Sequence, residues 1–278
     1  MSSRHSDKRG LAGIVNIPSQ KDVFGRRIAS DPTRMPVCGA HAVRLACAMT
    51  RAAYSMGMCG RFAVTLPPDA MAQLFAAVPS NDLPEVPNYN VCPTNRVHVV
   101  RSAEDSRRLV GMRWGFLPHW YKAENDGPLL INARAETLAD KPAFRAACRA
   151  RRCLIVASGF YEWTKTPEGT RLPWYFTRND GAPIAFAGIW QSWDKGDDPI
   201  DTCAIVTTAA NEEVSQLHHR MPLILEPDDW GLWLGEDGQG AALLMQPGAA
   251  GVLGWHRVDP KVNSNRARGA ELIEPIEG

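Results

Sequence analysis

Short apolar runs separated by turn-forming residues fill the chain after residue 60. Runs rich in Val, Ile, Phe and Trp and bounded by Gly, Pro, Asn or Asp are typical of β-strands. Two of them flank the charged turn 102–108 and predict a hairpin. The predicted strands are 62–65, 97–100, 109–114, 153–156, 174–176, 184–190, 203–208 and 252–258, with 89–91 as a further extended piece.

Helical periodicity is confined to short segments. Pro67-Pro68-Asp69 is a helix start, followed by Met71, Leu74, Phe75 and Val78 at positions i, i+3, i+4 and i+7. Because strands follow one another through short turns with single helices inserted, we expect an α+β fold with a mainly antiparallel, barrel-like sheet. No glycine-rich phosphate loop follows a strand, so we expect no nucleotide cofactor. The other predicted helices are 142–150, 211–217, 227–234 and 240–245.

Charge divides the chain unevenly. The whole chain has 31 basic and 30 acidic residues, which argues against a uniformly basic nucleic-acid binder. Residues 1–57 contain nine Lys/Arg, three Asp and no Trp, so we expect a disordered basic extension. It reads either as a transit peptide or as an upstream stretch before a start at Met56 or Met58. We therefore expect one domain over 58–270 and a tail at 271–278.

Seven cysteines lie at wide spacings without a C-x-x-C pair. This pattern argues against a zinc ribbon or a thioredoxin-type site, and we expect no metal. The apolar runs are too short for a membrane span, so free thiols in a cytoplasmic protein are the natural expectation. Among apolar neighbours, and so expected to be small core residues, are Cys92, Cys148, Cys153 and Cys203.

Four polar clusters interrupt the apolar pattern. Each has a structural explanation by itself: Glu162 could alternate outward on a strand, His218 could cap a helix end, and Asn132 could form a turn. Together with Cys59 they supply a thiol, an amide, a carboxylate and an imidazole, which is a set for nucleophilic and acid–base chemistry. The clusters are Cys59-Gly60-Arg61, Asn132-Ala133-Arg134-Ala135-Glu136, Gly159-Phe160-Tyr161-Glu162-Trp163 and His218-His219-Arg220-Met221-Pro222.

These clusters, with three further motifs, resemble the SRAP family of abasic-site processing proteins, also called SOS response-associated peptidases. The resemblance covers roughly residues 58–265. That family begins with Met-Cys, whereas 57 residues precede the dipeptide in this sequence. The resembling motifs are Met58-Cys59-Gly60-Arg61-Phe62, Tyr89-Asn90-Val91-Cys92-Pro93-Thr94, Arg113-Trp114-Gly115-Phe116, Asn132-Ala133-Arg134-Ala135-Glu136-Thr137, Arg152-Cys153-Leu154-Ile155, Gly159-Phe160-Tyr161-Glu162-Trp163 and His218-His219-Arg220-Met221-Pro222.

The resemblance implies a single SRAP-like domain that captures abasic sites in single-stranded DNA. A terminal Cys59 would condense through its α-amine with the sugar aldehyde and close a thiazolidine through its thiol. An internal Cys59 has only an amide nitrogen, so activity would need a start at Met58 or cleavage before Cys59. The expected partner is abasic single-stranded DNA. The resemblance further implies a monomer that does not contact a membrane and that associates with the nucleoid when DNA is damaged.

The same resemblance implies roles for the other motif residues. Asn132 would position the Cys59 terminus or the sugar, Glu162 would relay protons, and His218 would assist opening of the deoxyribose ring. Phosphate contacts are expected from Arg61, Arg113 and Arg134, and contacts with bases from Trp114 and Phe116.

Two other functions remain open from the sequence. A Cys-dependent peptidase could use Cys59, His218 and Glu162, and its limited form would cut only its own chain after Met58. A non-covalent reader of single-stranded or modified DNA could use Arg61, Arg134 and Trp114 without forming a bond.

Overall fold

β-strands dominate residues 60–277, the part of the chain that this computed structural model describes. The three α-helices in this part are short, and single 3₁₀ turns occupy several connections. The helices are α1 (Pro68–Leu74), α2 (Arg145–Ala150) and α3 (Trp230–Leu234). The strands are β1 (Arg61–Val64), β2 (Ala77–Pro79), β3 (Asn88–Val91), β4 (Arg96–Ser102), β5 (Arg107–Trp114), β6 (Asn132–Arg134), β7 (Arg152–Ala157), β8 (Gly159–Lys165), β9 (Arg171–Arg178), β10 (Ile184–Trp193), β11 (Ile200–Ala209), β12 (Arg220–Pro222) and β13 (Leu253–Arg257).

Five strands close a barrel in the order β5-β4-β7-β10-β11. Neighbours along this path are antiparallel, and a short parallel pairing of β11 with β5 completes the ring, with Thr202 opposite Arg113 and Cys203 opposite Trp114. Three short strands attach outside it: β2 to β5, and β6 and β12 to β11. The expectation of an α+β fold with a mainly antiparallel, barrel-like sheet is confirmed.

A second antiparallel sheet, in the order β13-β9-β8-β1-β3, packs against the barrel. Phe62 from β1 meets Trp114 and Phe186 of the barrel edge-on, at ring-centroid distances of 4.9 and 5.9 Å. The opposite face of this sheet has its own apolar core, which includes Tyr161 and Tyr175. The sheet therefore has two buried faces, and alternate residues of β1 and β8 point to different cores.

Gly159 allows β8 and β9 to pair closely. A Cβ atom at this position would lie 2.4 Å from the Tyr175 ring and 2.5 Å from the Phe176 carbonyl oxygen. Neither neighbour can retreat, since Tyr175 and Phe176 are both buried. The glycine that starts the Gly159–Trp163 motif is therefore required by packing.

Several predicted elements differ from the structure. The helix predicted to reach Val78 ends at Leu74, because 77–79 pairs in parallel with β5 as β2. Leu74 and Val78 are consequently exposed. The helices predicted at 211–217 and 240–245 are only 3₁₀ turns at Val214–Gln216 and Ala241–Leu244. The strand predicted at 252–258 is the edge strand β13 of the second sheet.

Besides β2, three strands were absent from the sequence prediction. Gly159–Lys165, predicted as a polar cluster, forms β8, in which Glu162 is buried among apolar residues. Strands β6 and β12 have three residues each and exist by pairing with β11. Periodicity cannot identify strands this short.

The cysteine prediction is confirmed for Cys148, Cys153 and Cys203, which are buried free thiols, whereas Cys92 is only half-buried. Burial raises the pKa of Cys153 and Cys203 above the usual range, so these thiols stay protonated. Residues 60–277 contain no group of three or more His, Cys, Asp or Glu that could hold a metal ion. In the same range no helix is long and apolar enough to cross a membrane.

Candidate functional site

Strand β11 brings two of the four polar clusters together. On one side it pairs in parallel with β6, with Ile205 opposite Asn132 and Thr207 opposite Arg134. On the other side it pairs with β12, with Ala209 opposite Arg220. Segments separated by about 85 residues in sequence thus flank one strand.

The third cluster lies on β8, next to the start of β1. The antiparallel register sets Arg61 opposite Tyr161 and Phe62 opposite Phe160, and its continuation sets Gly60 opposite Glu162. Glu162 is only 4% exposed. Cys59, the candidate nucleophile, precedes Gly60 in the sequence and lies outside the described residues.

One buried indole links these two regions. Trp114 packs on Phe62, two residues after Gly60, and its Nε1 donates to the Ile131 carbonyl at 3.0 Å. Ile131 precedes Asn132, and its carbonyl also accepts from the Ile205 amide. The buried side chain of Trp114 therefore contacts both β1 and the residue that precedes β6.

His218 is half-buried at the end of the 3₁₀ turn Val214–Gln216. Its Nδ1 lies 3.2 Å from the backbone nitrogen of Arg220 and 3.2 Å from the carbonyl oxygen of the same residue. Burial lowers the pKa of His218 below its ordinary value, and the charges of His219 and Arg220 act in the same direction. The imidazole is therefore neutral at pH 7 and available to accept or donate a hydrogen bond.

Arg220 is a site residue that sequence reasoning missed. Its guanidinium forks onto the Glu136 carboxylate, with Nη2 to Oε2 at 2.9 Å, and Nη2 also donates to the Thr207 carbonyl at 2.8 Å. The signal was present, since both residues belong to the quoted clusters, but nothing in their spacing shows that the clusters meet. The hydrogen bond from Arg220 lowers the pKa of Glu136, so this carboxylate is ionised at neutral pH.

The three arginines expected at DNA differ in availability. Arg134 is exposed at the end of β6. Arg113 is engaged, with Nε 3.2 Å from Glu124 Oε2 and Nη1 donating to the Gly115 carbonyl at 2.8 Å. Arg61 donates to Asn90 Oδ1 and to two backbone carbonyls, those of Val262 and Asn263.

Trp114 and Phe116, which were expected to contact bases, have no exposed ring face in this structure. Both side chains are 0% exposed in the main core, where they pack on Phe62 and Phe144, so neither offers a ring face to a base. Trp120, a few residues further along, is 46% exposed and presents its indole at the surface. Pro118 before it and a run of charged residues after it indicate a surface turn, which was the available sequence signal.

Comparison with known proteins identifies the family. The family model described as SOS response associated peptidase (SRAP) matches residues 58–265. This chain is an SRAP protein. It is 36% identical over 224 residues to the abasic site processing protein YoqW of Bacillus subtilis, covering 78% of this chain and 99% of that protein. It is 32% identical over 227 residues to the abasic site processing protein YedK of Escherichia coli, covering 79% and 100%.

Solved structures show the same SRAP-like architecture. A protein from Bacteroides thetaiotaomicron superposes with a TM-score of 0.69 at 22% identity, covering 79% of this chain and 100% of that structure. A protein from Bordetella bronchiseptica gives a TM-score of 0.61 at 26% identity, covering 72% and 100%. At 22% identity, the likeness to the Bacteroides thetaiotaomicron protein concerns the fold alone.

The SRAP match contains all four polar clusters. Residues that follow it in the sequence also pack into a core of the protein. Leu272, in the segment expected to be a tail, is fully buried in the core of the second sheet. Its carbonyl accepts a hydrogen bond from the Tyr161 hydroxyl at 3.4 Å. The C-terminal segment therefore helps to hold β8, the strand that carries Glu162.

Proposed function

We propose that this SRAP protein senses abasic sites in single-stranded DNA and forms a thiazolidine crosslink through Cys59 once this residue is N-terminal. The names of the curated relatives, abasic site processing proteins, support the substrate class. The observation that carries the proposal is the pairing of Arg61 on β1 with Tyr161 on β8, because it brings the adjacent, nearly buried carboxylate of Glu162 to the start of β1.

The proposed chemistry needs both nucleophiles of one terminal cysteine. The α-amine, with an ordinary pKa of about 8, adds to the aldehyde carbon of the ring-opened sugar. The carbinolamine loses water to give an imine, and the thiol sulfur then adds to the imine carbon while its proton passes to nitrogen. The ring contains nitrogen, Cα, Cβ, sulfur and the sugar carbon, and the net change is the loss of one water.

The protein supplies proton transfer and orientation. Glu162 takes the proton from the attacking amine and returns it to the departing hydroxyl, which requires hydrogen-bond reach to the terminus. Asn132, held on β6 beside β11, orients the terminus or the sugar. His218, neutral at pH 7, assists opening of the deoxyribose ring at its ring oxygen.

DNA contacts in this proposal come from exposed groups. Arg134 has a guanidinium at the surface beside the Asn132 strand and would meet a phosphate. Trp120 replaces the buried Trp114 and Phe116 as the candidate for stacking on a base. Arg61 and Arg113 would have to give up contacts within the protein before binding DNA.

Exposure of the Cys59 amine requires processing of this chain or translation from Met58. We propose that the protein can remove the preceding residues itself, a limited peptidase activity in keeping with the family description. Turnover of unrelated peptides would instead favour a general peptidase. Binding of abasic DNA without an adduct on a denaturing gel would favour a non-covalent reader.

The central experiment compares two forms of the protein on one abasic oligonucleotide. A chain beginning at Met58, with this Met removed in the host, should give an adduct that survives denaturant. The unprocessed 278-residue chain should give none, because Cys59 then offers only an amide nitrogen. Equal crosslinking by both forms would contradict the α-amine mechanism and point to a side-chain nucleophile.

Variants of the short form separate the steps. Cys59→Ala keeps the amine, so the imine forms but cannot close, and borohydride should be needed to trap it.

Glu162→Gln and His218→Ala should slow linkage by roughly 10²-fold. Arg134→Ala and Trp120→Ala should weaken DNA affinity, and only Arg134→Ala should reduce the salt slope, by about one phosphate.

A further inference from the structure

Glu136 and Arg220 meet across β11, at the edge of the site. Glu136 lies in the 3₁₀ turn that follows β6, and Arg220 starts β12. Because β6 and β12 flank β11 on opposite sides, their ends converge beside Thr207. The ion pair therefore joins two short strands that share no pairing of their own.

The contact fixes the guanidinium in both position and rotation. Both Nη atoms donate to the two carboxylate oxygens, and Nη2 also donates to the Thr207 carbonyl and lies 3.3 Å from its hydroxyl. Such a planar fork constrains orientation in a way that a single contact cannot. Within residues 60–277, Nε of Arg220 is buried without a hydrogen-bond partner, a cost that the Nη contacts must offset.

The backbone of Arg220 in turn holds His218 in either protonation state. When neutral imidazole accepts the Arg220 N–H at Nδ1, its own ring hydrogen is on Nε2. With protonated imidazole, the Nδ1–H can donate to the Arg220 carbonyl oxygen, also at 3.2 Å. Uptake of a proton at Nδ1 therefore replaces one contact with the Arg220 backbone by the other, and Nε2–H keeps its direction without a turn of the ring.

Stability alone does not explain the Glu136–Arg220 pair. The Glu136 side chain is 51% exposed, and pairs with one such partner contribute little to the free energy of folding. What the pair does fix is the geometry at the start of β12, two residues from the imidazole.

We propose that Glu136 is a positioning residue that acts through Arg220 to keep His218 in its Nε2–H tautomer and in its working orientation. This inference rests on the proposed function for its purpose, although not for its geometry. The charges of His219 and Arg220 both act to lower the pKa of His218. Without Glu136, the Arg220 charge would be less neutralised and would further disfavour the imidazolium.

The first test needs no DNA and uses the full 278-residue chain. ¹⁵N NMR of the imidazole nitrogens should show the Nε2–H tautomer of His218 in the wild type. Glu136→Gln should give a mixture of tautomers and a lower pKa of His218, and Glu136→Asp should restore much of the wild-type spectrum. Wild-type spectra and an unchanged pKa in Glu136→Gln would overturn the proposal.

Glu236→Gln is the matched control. Glu236 makes the same kind of forked contact with Arg107, at 2.7 to 3.1 Å, at the start of β5. Loss of that pair should leave the His218 resonances unchanged. An equal response to both variants would show a general loosening of the protein and would also overturn the proposal.

The second test uses crosslinking by protein with an exposed Cys59. Glu136→Gln should lower the rate at saturating abasic DNA by about tenfold or more, because a wrong imidazole tautomer costs up to about 10⁴-fold and a mixture costs less, and leave the half-saturating DNA concentration within twofold. The pH profile should move in the direction that NMR shows. Reduced affinity with an unchanged saturated rate would overturn the proposal. If even the wild type forms no adduct, the proposed function fails, and the NMR result still decides the role of Glu136.

Discussion

Burial decides the chemistry of individual residues more than residue type does. Trp114 and Trp120 occur in one segment of sequence, yet one is enclosed by the barrel and the second sheet while the other is exposed. Glu162 and Glu136 are both carboxylates of quoted motifs, and only Glu162 is removed from solvent. The buried residues organise the site and the exposed ones are left for contact with a ligand.

His98 gives a prediction at this scale. It is nearly fully buried on β4, and within the described residues its Nε2 has no hydrogen-bond partner. Burial lowers its pKa to about 4, whereas an unfolded histidine titrates near about 6.5. Folding thus favours the neutral form of His98. The contribution of this residue to the free energy of unfolding is complete above about pH 6.5 and is lost as the pH falls toward about 4.

The expected loss over this window is roughly 3 kcal/mol of unfolding free energy. Urea denaturation of wild type and His98→Leu between these pH values measures it, and the variant should lack this part of the pH dependence. His119→Gln, which alters an exposed histidine, serves as control. Parallel curves for wild type and His98→Leu would contradict the prediction.

At the scale of elements, side chains from the site-bearing strands hold an irregular C-terminal segment, 260–268. Asn90 on β3 is buried and donates through Nδ2 to the carbonyls of Ser264 and Ala267, both at 3.0 Å. Arg61 on β1 holds the carbonyls of Val262 and Asn263, and Trp163 on β8 donates to Asn263 Oδ1. Arg61 thus acts as a structural clamp in this structure.

Asn90→Ala should release this segment. Its removal leaves two carbonyls and the Arg61 guanidinium short of a partner, at a cost of about 1–3 kcal/mol for each group left buried. Trypsin should then cut after Arg266 and Arg268 many times faster than in the wild type under native conditions. Asn265→Ala, at an exposed neighbour, should leave the rate unchanged, and so would Asn90→Ala if the segment were held by other contacts.

At the scale of the molecule, two sheets share one main core through Phe62, Phe160 and Phe186. Closure of the barrel by β5 and β11 connects residues almost 90 positions apart, and the second sheet adds β1 and β13 from the two ends of the described range. The cores described here draw their side chains from 62–272.

Deleting residues 1–57 should therefore leave thermal stability nearly unchanged. The physical reason is the low content of core-forming residues in that segment, with Phe24 and Tyr54 as its only aromatics. Differential scanning calorimetry of both forms in one buffer measures this. A decrease of several degrees in Tm would show that the extension contributes to folding and would contradict the boundary at residue 57.

Local sequence was sufficient for the elements whose signal is local. The β4–β5 hairpin, the apolar strands β7, β10 and β11, and the buried Cys153 and Cys203 follow from runs of apolar residues and a charged turn. The order of the motifs was enough to indicate the SRAP family, because each motif is a stretch of sequence that can be recognised without knowledge of the tertiary structure.

Tertiary structure alone decided which of those residues meet. Strands β6 and β12 are too short to be stable or recognisable by themselves, and they form because β11 offers pairing partners on both sides. Only that pairing brings Glu136 to Arg220, and only the β1–β8 register brings Glu162 to the start of β1. Burial of Trp114 and exposure of Trp120 likewise depend on the packing of two sheets, since accessibility results from contacts between distant segments and is not a property of a local pattern.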